Sequence, residues 1–156
     1  RPFTGDYAGD LLYPTLEKFG FSKGEFKASP DDGLELIDCR ITNAVRCVPP
    51  QNKPVGAEVV ACRPFFAAEI AAMPKLEVVL ALGGLAHKAI LATLGYKQSA
   101  LKFIHAASYE VANGERNIML ANSYHCSRYN TNTGRLTSEM FEDVFTLIRD
   151  HLDGLD

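Results

Sequence analysis

The stretch richest in chemistry in this 156-residue chain is residues 123–137, Ser-Tyr-His-Cys-Ser-Arg-Tyr-Asn-Thr-Asn-Thr-Gly-Arg-Leu-Thr. It holds an imidazole (His125), two guanidinium groups (Arg128 and Arg135), several amides and hydroxyls, and a glycine. Arginines supply charge and forked donors, while Ser127 and Asn130 supply short hydrogen bonds, an inventory that suits phosphates. Tyr129 adds a flat face on which a base could stack. The plainer reading is a surface loop that caps a following helix through Thr137 or Ser138.

Such a loop needs elements on both sides to aim it. Asn117 to Ala121, just before it, is an apolar run that reads as a strand, and Ser138 to Leu152 reads as a helix. Upstream, Leu11, Leu12, Leu16 and Phe19 recur at helical spacing until Gly20, with Pro14 expected in the first turn. Ile37 to Val48 reads as a strand that stops at Pro49-Pro50, and the stiff loop runs on to Pro54. Val55 to Met73 reads as helical, with Pro64 marking a kink. Val78 to Leu82 has the continuous apolar run of a strand covered on both faces. It leads through Gly83-Gly84 into a helix over Leu85 to Leu94. Tyr109 to Ala112 and Asn117 to Ala121 flank Asn113-Gly114, a hairpin signal. Strands alternating with helices imply an α/β layered domain with a mostly parallel sheet.

A single domain over residues 1–156 fits the length, since such a chain buries about two thirds of its unfolded surface without disulfides. Hydrophobic residues at 47% and charged residues at 22% are ordinary for a globular chain. No apolar run approaches the ~18 residues that cross a bilayer, and no signal-peptide pattern opens the chain, so no membrane partner is expected. A net charge of −3 argues against indiscriminate nucleic-acid binding. The charges are uneven, however. Arg40, Arg46, Lys53 and Arg63 face only Glu58 between them, whereas the last helix is strongly acidic. The four cysteines, Cys39, Cys47, Cys62 and Cys126, form no Cys-x-x-Cys pair, and free buried thiols in a cytoplasmic protein are expected.

In an α/β domain the loops after the strands share one rim. Here these are residues 49–54, Gly83-Gly84 and residues 124–135, with the opening segment Phe3 to Asp6 as a candidate to join them. Together they offer Phe3, Asp6, Asn43, Asn52, His125, Ser127, Arg128 and Asn130. An aromatic ring, a carboxylate, two amides and an imidazole could read and cleave a nucleobase. Each has a dull alternative. Phe3 could be partial core, Asp6 a helix cap, Asn43 a partner for a neighbouring carbonyl and Asn52 the brace of its proline-rich turn. His87, on an apolar helix, reads as structural. The Gly83-Gly84 turn could hold an anion, which leaves a small phosphate-binding module as a minor alternative.

Arg-Pro-Phe-Thr-Gly-Asp (1–6), Thr-Asn-Ala-Val-Arg-Cys-Val-Pro-Pro-Gln-Asn-Lys-Pro (42–54), Cys-Arg-Pro-Phe (62–65), Val-Leu-Ala-Leu-Gly (79–83) and Tyr-His-Cys-Ser-Arg-Tyr-Asn-Thr-Asn-Thr-Gly-Arg-Leu-Thr (124–137) occur in this order. From Arg1 to about Phe145 the chain thereby resembles the type B, or family 5, iron–sulfur uracil-DNA glycosylases. The resemblance implies a three-layer α/β/α sandwich with a small, mostly parallel central sheet. It also implies a DNA-repair enzyme that excises uracil, or another deaminated base, by hydrolysing its N-glycosidic bond. Phe3 would stack on the flipped base, and Asp6 and His125 would be catalytic. Asn43 and Asn52 would lie near the base. Ser127, Arg128, Tyr129, Asn130 and Arg135 would meet the DNA. Cys47 and Cys62 would be two of the four ligands of a 4Fe-4S cluster.

Two departures stand out. The family's glycine-rich first motif and two more cluster cysteines would precede Phe3, so an N-terminally incomplete domain is expected. A complete cluster is therefore expected to be absent from it, since Cys39 and Cys126 fall at the wrong places to substitute. Cys126 also stands where many relatives have proline after the histidine. The expected partner is DNA bearing uracil or deaminated bases, met by a monomer in the cytoplasm. The rival reading is a protein that grips damaged or single-stranded DNA without cutting it.

Overall fold

The computed structural model describes residues 3, 7–29, 31–43 and 56–154, the side chains of 56–63 excepted. In chain order the elements are α1 (Tyr7–Lys18), β1 (Ser22–Lys23), β2 (Glu35–Leu36), α2 (Gly56–Ala71), β3 (Val78–Leu82), α3 (Gly84–Thr93), β4 (Ser108–Asn113), β5 (Arg116–Ser123), α4 (Arg128–Asn132) and α5 (Ser138–Asp153). They group into two compact units, one of Arg1–Thr42 with Ser123–Asp156 and one of Asn43–Asn122.

In the first unit α1 turns Ala8, Leu12, Tyr13 and Leu16 inward. It begins at Tyr7, one turn before the first leucine of the pattern, so Pro14 lies in the helix interior and not in the first turn. Pro14 is exposed there. The helix stops where expected. Gly20 takes φ 83°, and two main-chain bonds close the end, Gly20 N–H to the Glu17 carbonyl (3.1 Å) and Phe21 N–H to the Leu16 carbonyl (2.8 Å). This paired closure requires a residue at positive φ, which glycine takes without a Cβ penalty.

Helix α5 is held at its start by Thr137, whose hydroxyl accepts from the Met140 N–H at 3.1 Å. Glu139 sits in its first turn, where negative charge suits the helix dipole. Phe141, Val144, Phe145 and Ile148, at spacings of three and four, form its buried face. Phe145 centres an aromatic cluster, meeting Phe141 at 5.1 Å, Phe19 at 5.7 Å and Phe21 at 6.2 Å between ring centroids. Lys18 on α1 pairs with Glu142 on α5 at 3.0 Å.

The second unit is built on a mixed three-stranded sheet in the order β3-β5-β4. Strands β4 and β5 form an antiparallel hairpin that turns through Gly114 and Glu115, with Val111 opposite Ile118 and Tyr109 opposite Leu120. Phe66 and Ile70 of α2, Ala81 of β3, Ile90 and Leu91 of α3, and Val111, Ile118 and Leu120 of the hairpin make one apolar core. His87 is buried in this unit, as the structural reading expected. Its Nε2 donates to the Leu101 carbonyl at 2.8 Å and its Nδ1 meets the Asn122 side-chain amide at 2.9 Å.

The α/β class thus agrees with the reading of the sequence, but one expected strand is absent over its described part. Over Ile37 to Val48, pairing ends already at Leu36, and residues 37–43 carry no strand. Asp38 takes φ 50°, a left-handed conformation that turns the chain out of an extended path. Residues 44–48 and the proline-rich loop to Pro54 lie outside the described residues.

Phe145→Ala should remove the centre of the aromatic cluster and destabilise the fold by about 3–5 kcal/mol, by analogy with other buried aromatic truncations. A denaturant titration reads this directly. A loss below about 1 kcal/mol would show that the cluster does not hold α5 in place.

Candidate functional site

The loop between β5 and α5 is less open than its sequence suggests. It contains α4, a helix of five residues that begins at Arg128, where the sequence pattern predicts loop. Ser127 caps it, with its hydroxyl accepting from the Asn130 N–H at 3.3 Å. Asn130 fixes the loop twice more. Its Nδ2 donates to the His125 carbonyl at 2.8 Å, and its own carbonyl accepts from the Leu136 N–H at 3.0 Å. The polar groups of Ser127 and Asn130 are therefore engaged inside the loop. Cys126 is fully buried beneath it. These bonds hold the turn that a proline at position 126 would stiffen through its ring.

Other groups face outward. Arg128 and Arg135 are exposed, and Tyr129 is 72% exposed. Each arginine lies over an aromatic face, Arg128 Cζ 5.0 Å from the Tyr7 ring centroid and Arg135 Cζ 5.4 Å from that of Tyr124. Nothing in the spacing of Tyr7 and Arg128, 121 positions apart, announces that pairing.

Phe3 reaches the same loop. Its ring lies 5.8 Å from that of His125, the planes inclined at 64° in an edge-to-face arrangement. The backbone of Phe3 has φ 62°, a left-handed conformation that a bulky residue adopts only under outside constraint. Gly9 of α1 makes room for the Phe3 main chain. A Cβ placed there would lie 2.0 Å from the Phe3 carbonyl oxygen and 3.2 Å from the Phe26 ring. Only glycine lets the Phe3 main chain lie this close to the helix. Its role could be found in the sequence solely as a Gly inside an otherwise helical pattern, a weak sign of close backbone approach.

A cleft of about 290 Å³ opens nearby, lined by Tyr7, Asp10, Leu11, Thr131, Leu136, Thr137 and Ser138. His125 and Phe3 are not part of its lining.

The expected site residues therefore fall into three sets. Phe3, His125, Ser127, Arg128, Tyr129, Asn130 and Arg135 belong to one unit, where Phe3 meets His125. Asn43 is exposed and opens the other unit. Asp6, Asn52 and Cys47 lie outside the described residues, and Cys62 is carried by α2 with its side chain likewise outside the description. Among the described residues no group of three or more His, Cys, Asp or Glu could hold a metal ion, and no helix is long and apolar enough to cross a membrane.

The two remaining cysteines are unsuited to metal or nucleophilic work. Burial pushes the Cys39 thiol up to about 11, and Cys126 is closed from solvent. A thiol whose pKa is raised on folding stays protonated where the unfolded chain has begun to ionise. Its contribution to stability is thus present below about pH 9 and is lost as the pH rises through about 11.

Comparison with known proteins gives a consistent picture. The family model of the uracil DNA glycosylase superfamily matches residues 1–149. A type-5 uracil-DNA glycosylase of Thermus thermophilus is 45% identical over 144 residues, covering 92% of this chain and 64% of that protein. A type-5 uracil-DNA glycosylase of Pyrobaculum aerophilum is 40% identical over 144 residues, with 92% and 61% covered. A type-4 uracil-DNA glycosylase of Sulfurisphaera tokodaii is 32% identical over 148 residues, with 92% and 60% covered. The chain spans less than two thirds of the length of these relatives.

Two outcomes are expected from these contacts. Gly9→Ala should push the Phe3 main chain off α1 and break its contact with His125, because the two atoms cannot share a 2.0 Å gap. In an NMR spectrum the His125 ring protons should lose their ring-current shift. Unchanged His125 shifts would mean that Gly9 does not hold Phe3. Alkylation of Cys39 by iodoacetamide should stay slow at pH 8.5 in the folded protein and rise only towards pH 11, whereas labelling at the rate of a free thiol would contradict its burial.

Proposed function

The chain belongs to the uracil DNA glycosylase superfamily, and from that premise we propose that it excises uracil, or a similarly deaminated base, from DNA by hydrolysis of the N-glycosidic bond. The observation that carries this reading is the Phe3 ring set edge-on to His125 in a strained backbone. An aromatic plate beside an imidazole is what a flipped pyrimidine requires: a face to stack on and a donor at its rim.

In the proposed mechanism the base leaves the duplex and stacks on Phe3. Cleavage leaves a cation-like sugar and an anionic base. His125 donates a hydrogen bond to the developing base oxyanion, and one such preorganised donor is worth about 3 kcal/mol in the transition state. Asp6 stands by the sugar, where a carboxylate stabilises positive charge or orients the attacking water. An amide, Asn52 or Asn43 by the family resemblance, is assigned to the edge of the base. Arg128, Arg135 and the exposed Tyr129 meet the DNA, with Ser127 and Asn130 shaping the turn that presents them. The protein acts as a monomer in the cytoplasm.

Cys47 and Cys62 would supply two of the four thiolates of a 4Fe-4S cluster, which would tie together the segments that carry its ligands. Iron content of the full-length protein tests this separately from activity.

In the full-length protein, a duplex carrying one uracil should yield an abasic site that alkali cleaves. Release should be faster from a mispaired uracil than from a paired one, because extrusion then costs less. His125→Ala should slow release on the order of 100-fold with binding largely kept. Release unaffected by that substitution would remove His125 from the mechanism. Tight, salt-dependent binding without product would favour the non-catalytic reading.

A further inference from the structure

Resting on the glycosylase reading, we propose that Tyr7 and Tyr124 are positioning residues whose rings hold Arg128 and Arg135 as two preset contacts for the backbone phosphates of the damaged strand. Of the cations in this unit, Lys18, Lys23 and Lys27 each face a carboxylate, at 3.0, 3.2 and 3.7 Å, and Arg149 both faces Asp153 at 3.8 Å and lies over the Phe21 ring at 4.7 Å. Among the described residues Arg128 and Arg135 have no carboxylate partner and lie over tyrosine faces instead, at 5.0 and 5.4 Å.

The difference matters chemically. A guanidinium paired with a carboxylate has spent its forked N–H donors. One held over a ring by cation–π attraction keeps its N–H donors for a phosphate. Stacking also orders a long side chain before the ligand arrives, so less freedom is lost on binding. An acidic protein of net charge −3 gains little from general attraction to DNA, and has to place its few free cations where the strand lands. Tyr124 adjoins His125 in the chain and Tyr7 begins α1, so both rings stand at elements that also frame the Phe3–His125 contact. Neither ring touches the reacting atoms in this scheme. Both act through the arginines.

The test is a set of double-mutant cycles in the full-length protein, read as binding to a duplex with one abasic-site analogue across a salt series. Tyr7→Leu and Tyr124→Leu should each weaken binding about two- to five-fold. Tyr7→Phe and Tyr124→Phe keep the ring face and should restore it. With Arg128 already changed to Ala, Tyr7→Leu should cost nothing more, and the same holds for Tyr124→Leu with Arg135→Ala. Both arginine variants alter exposed side chains, and each should flatten the log–log salt slope by about 0.9. In excision kinetics the leucine variants should raise KM and leave kcat unchanged. Additive losses, phenylalanine variants as weak as leucine ones, or an unaltered salt slope in the arginine variants would overturn the proposal. Uracil release by the parent protein is measured alongside. Its absence strikes the glycosylase reading, while the binding cycles still decide the pairing.

Discussion

The contact between Phe3 and His125 depends on the lack of a side chain at Gly9. The Phe3 carbonyl occupies the space where a Cβ would stand, 2.0 Å away. The main chain of Phe3 can therefore lie on α1, in a left-handed conformation that its ring would not choose in isolation. From that position the ring borders His125. Helix α1 is itself anchored by its buried Leu12, Tyr13 and Leu16, and it is tied to α5 by the Lys18–Glu142 pair. Strain at one residue is thus held by a packed helix, which is how a folded chain keeps a conformation that costs free energy locally.

The loop after β5 divides its polar groups by task. Ser127, Asn130 and Thr137 spend their side chains on main-chain partners, and the loop keeps its shape through them. Arg128, Arg135 and Tyr129 are left outward. The first group sets geometry, and the second leaves charge and a ring facing solvent. A similar division separates the histidines. His87 is buried and bonded at both ring nitrogens in the core of its own unit, whereas His125 is partly exposed and lies beside an aromatic ring.

Much of this could be read from the sequence because periodicity and capping are local signals. Phe141, Val144, Phe145 and Ile148 mark α5, Thr137 marks its start, and Asn113-Gly114 marks the hairpin. The family itself could be read from its ordered motifs, which the superfamily match over residues 1–149 bears out. Long-range contacts could not be read. The apolar residues at Ile37 and after suggested a strand, yet a turn at Asp38 diverts the chain, and no local pattern reports that. Helix α4 was hidden because Arg-Tyr-Asn-Thr-Asn lacks an apolar face and is held by Ser127 instead. The pairing of Tyr7 with Arg128 and the room needed at Gly9 depend on tertiary placement alone.

The central claim is the proposal that a flipped base stacks on the Phe3 ring with His125 at its rim. The most direct measurement is a crystal structure of the full-length protein with free uracil. The account expects the uracil ring to stack on the Phe3 face, with a carbonyl oxygen within hydrogen-bond distance of a His125 ring nitrogen. Uracil bound elsewhere, with the Phe3 ring packed against protein on both faces, would contradict it.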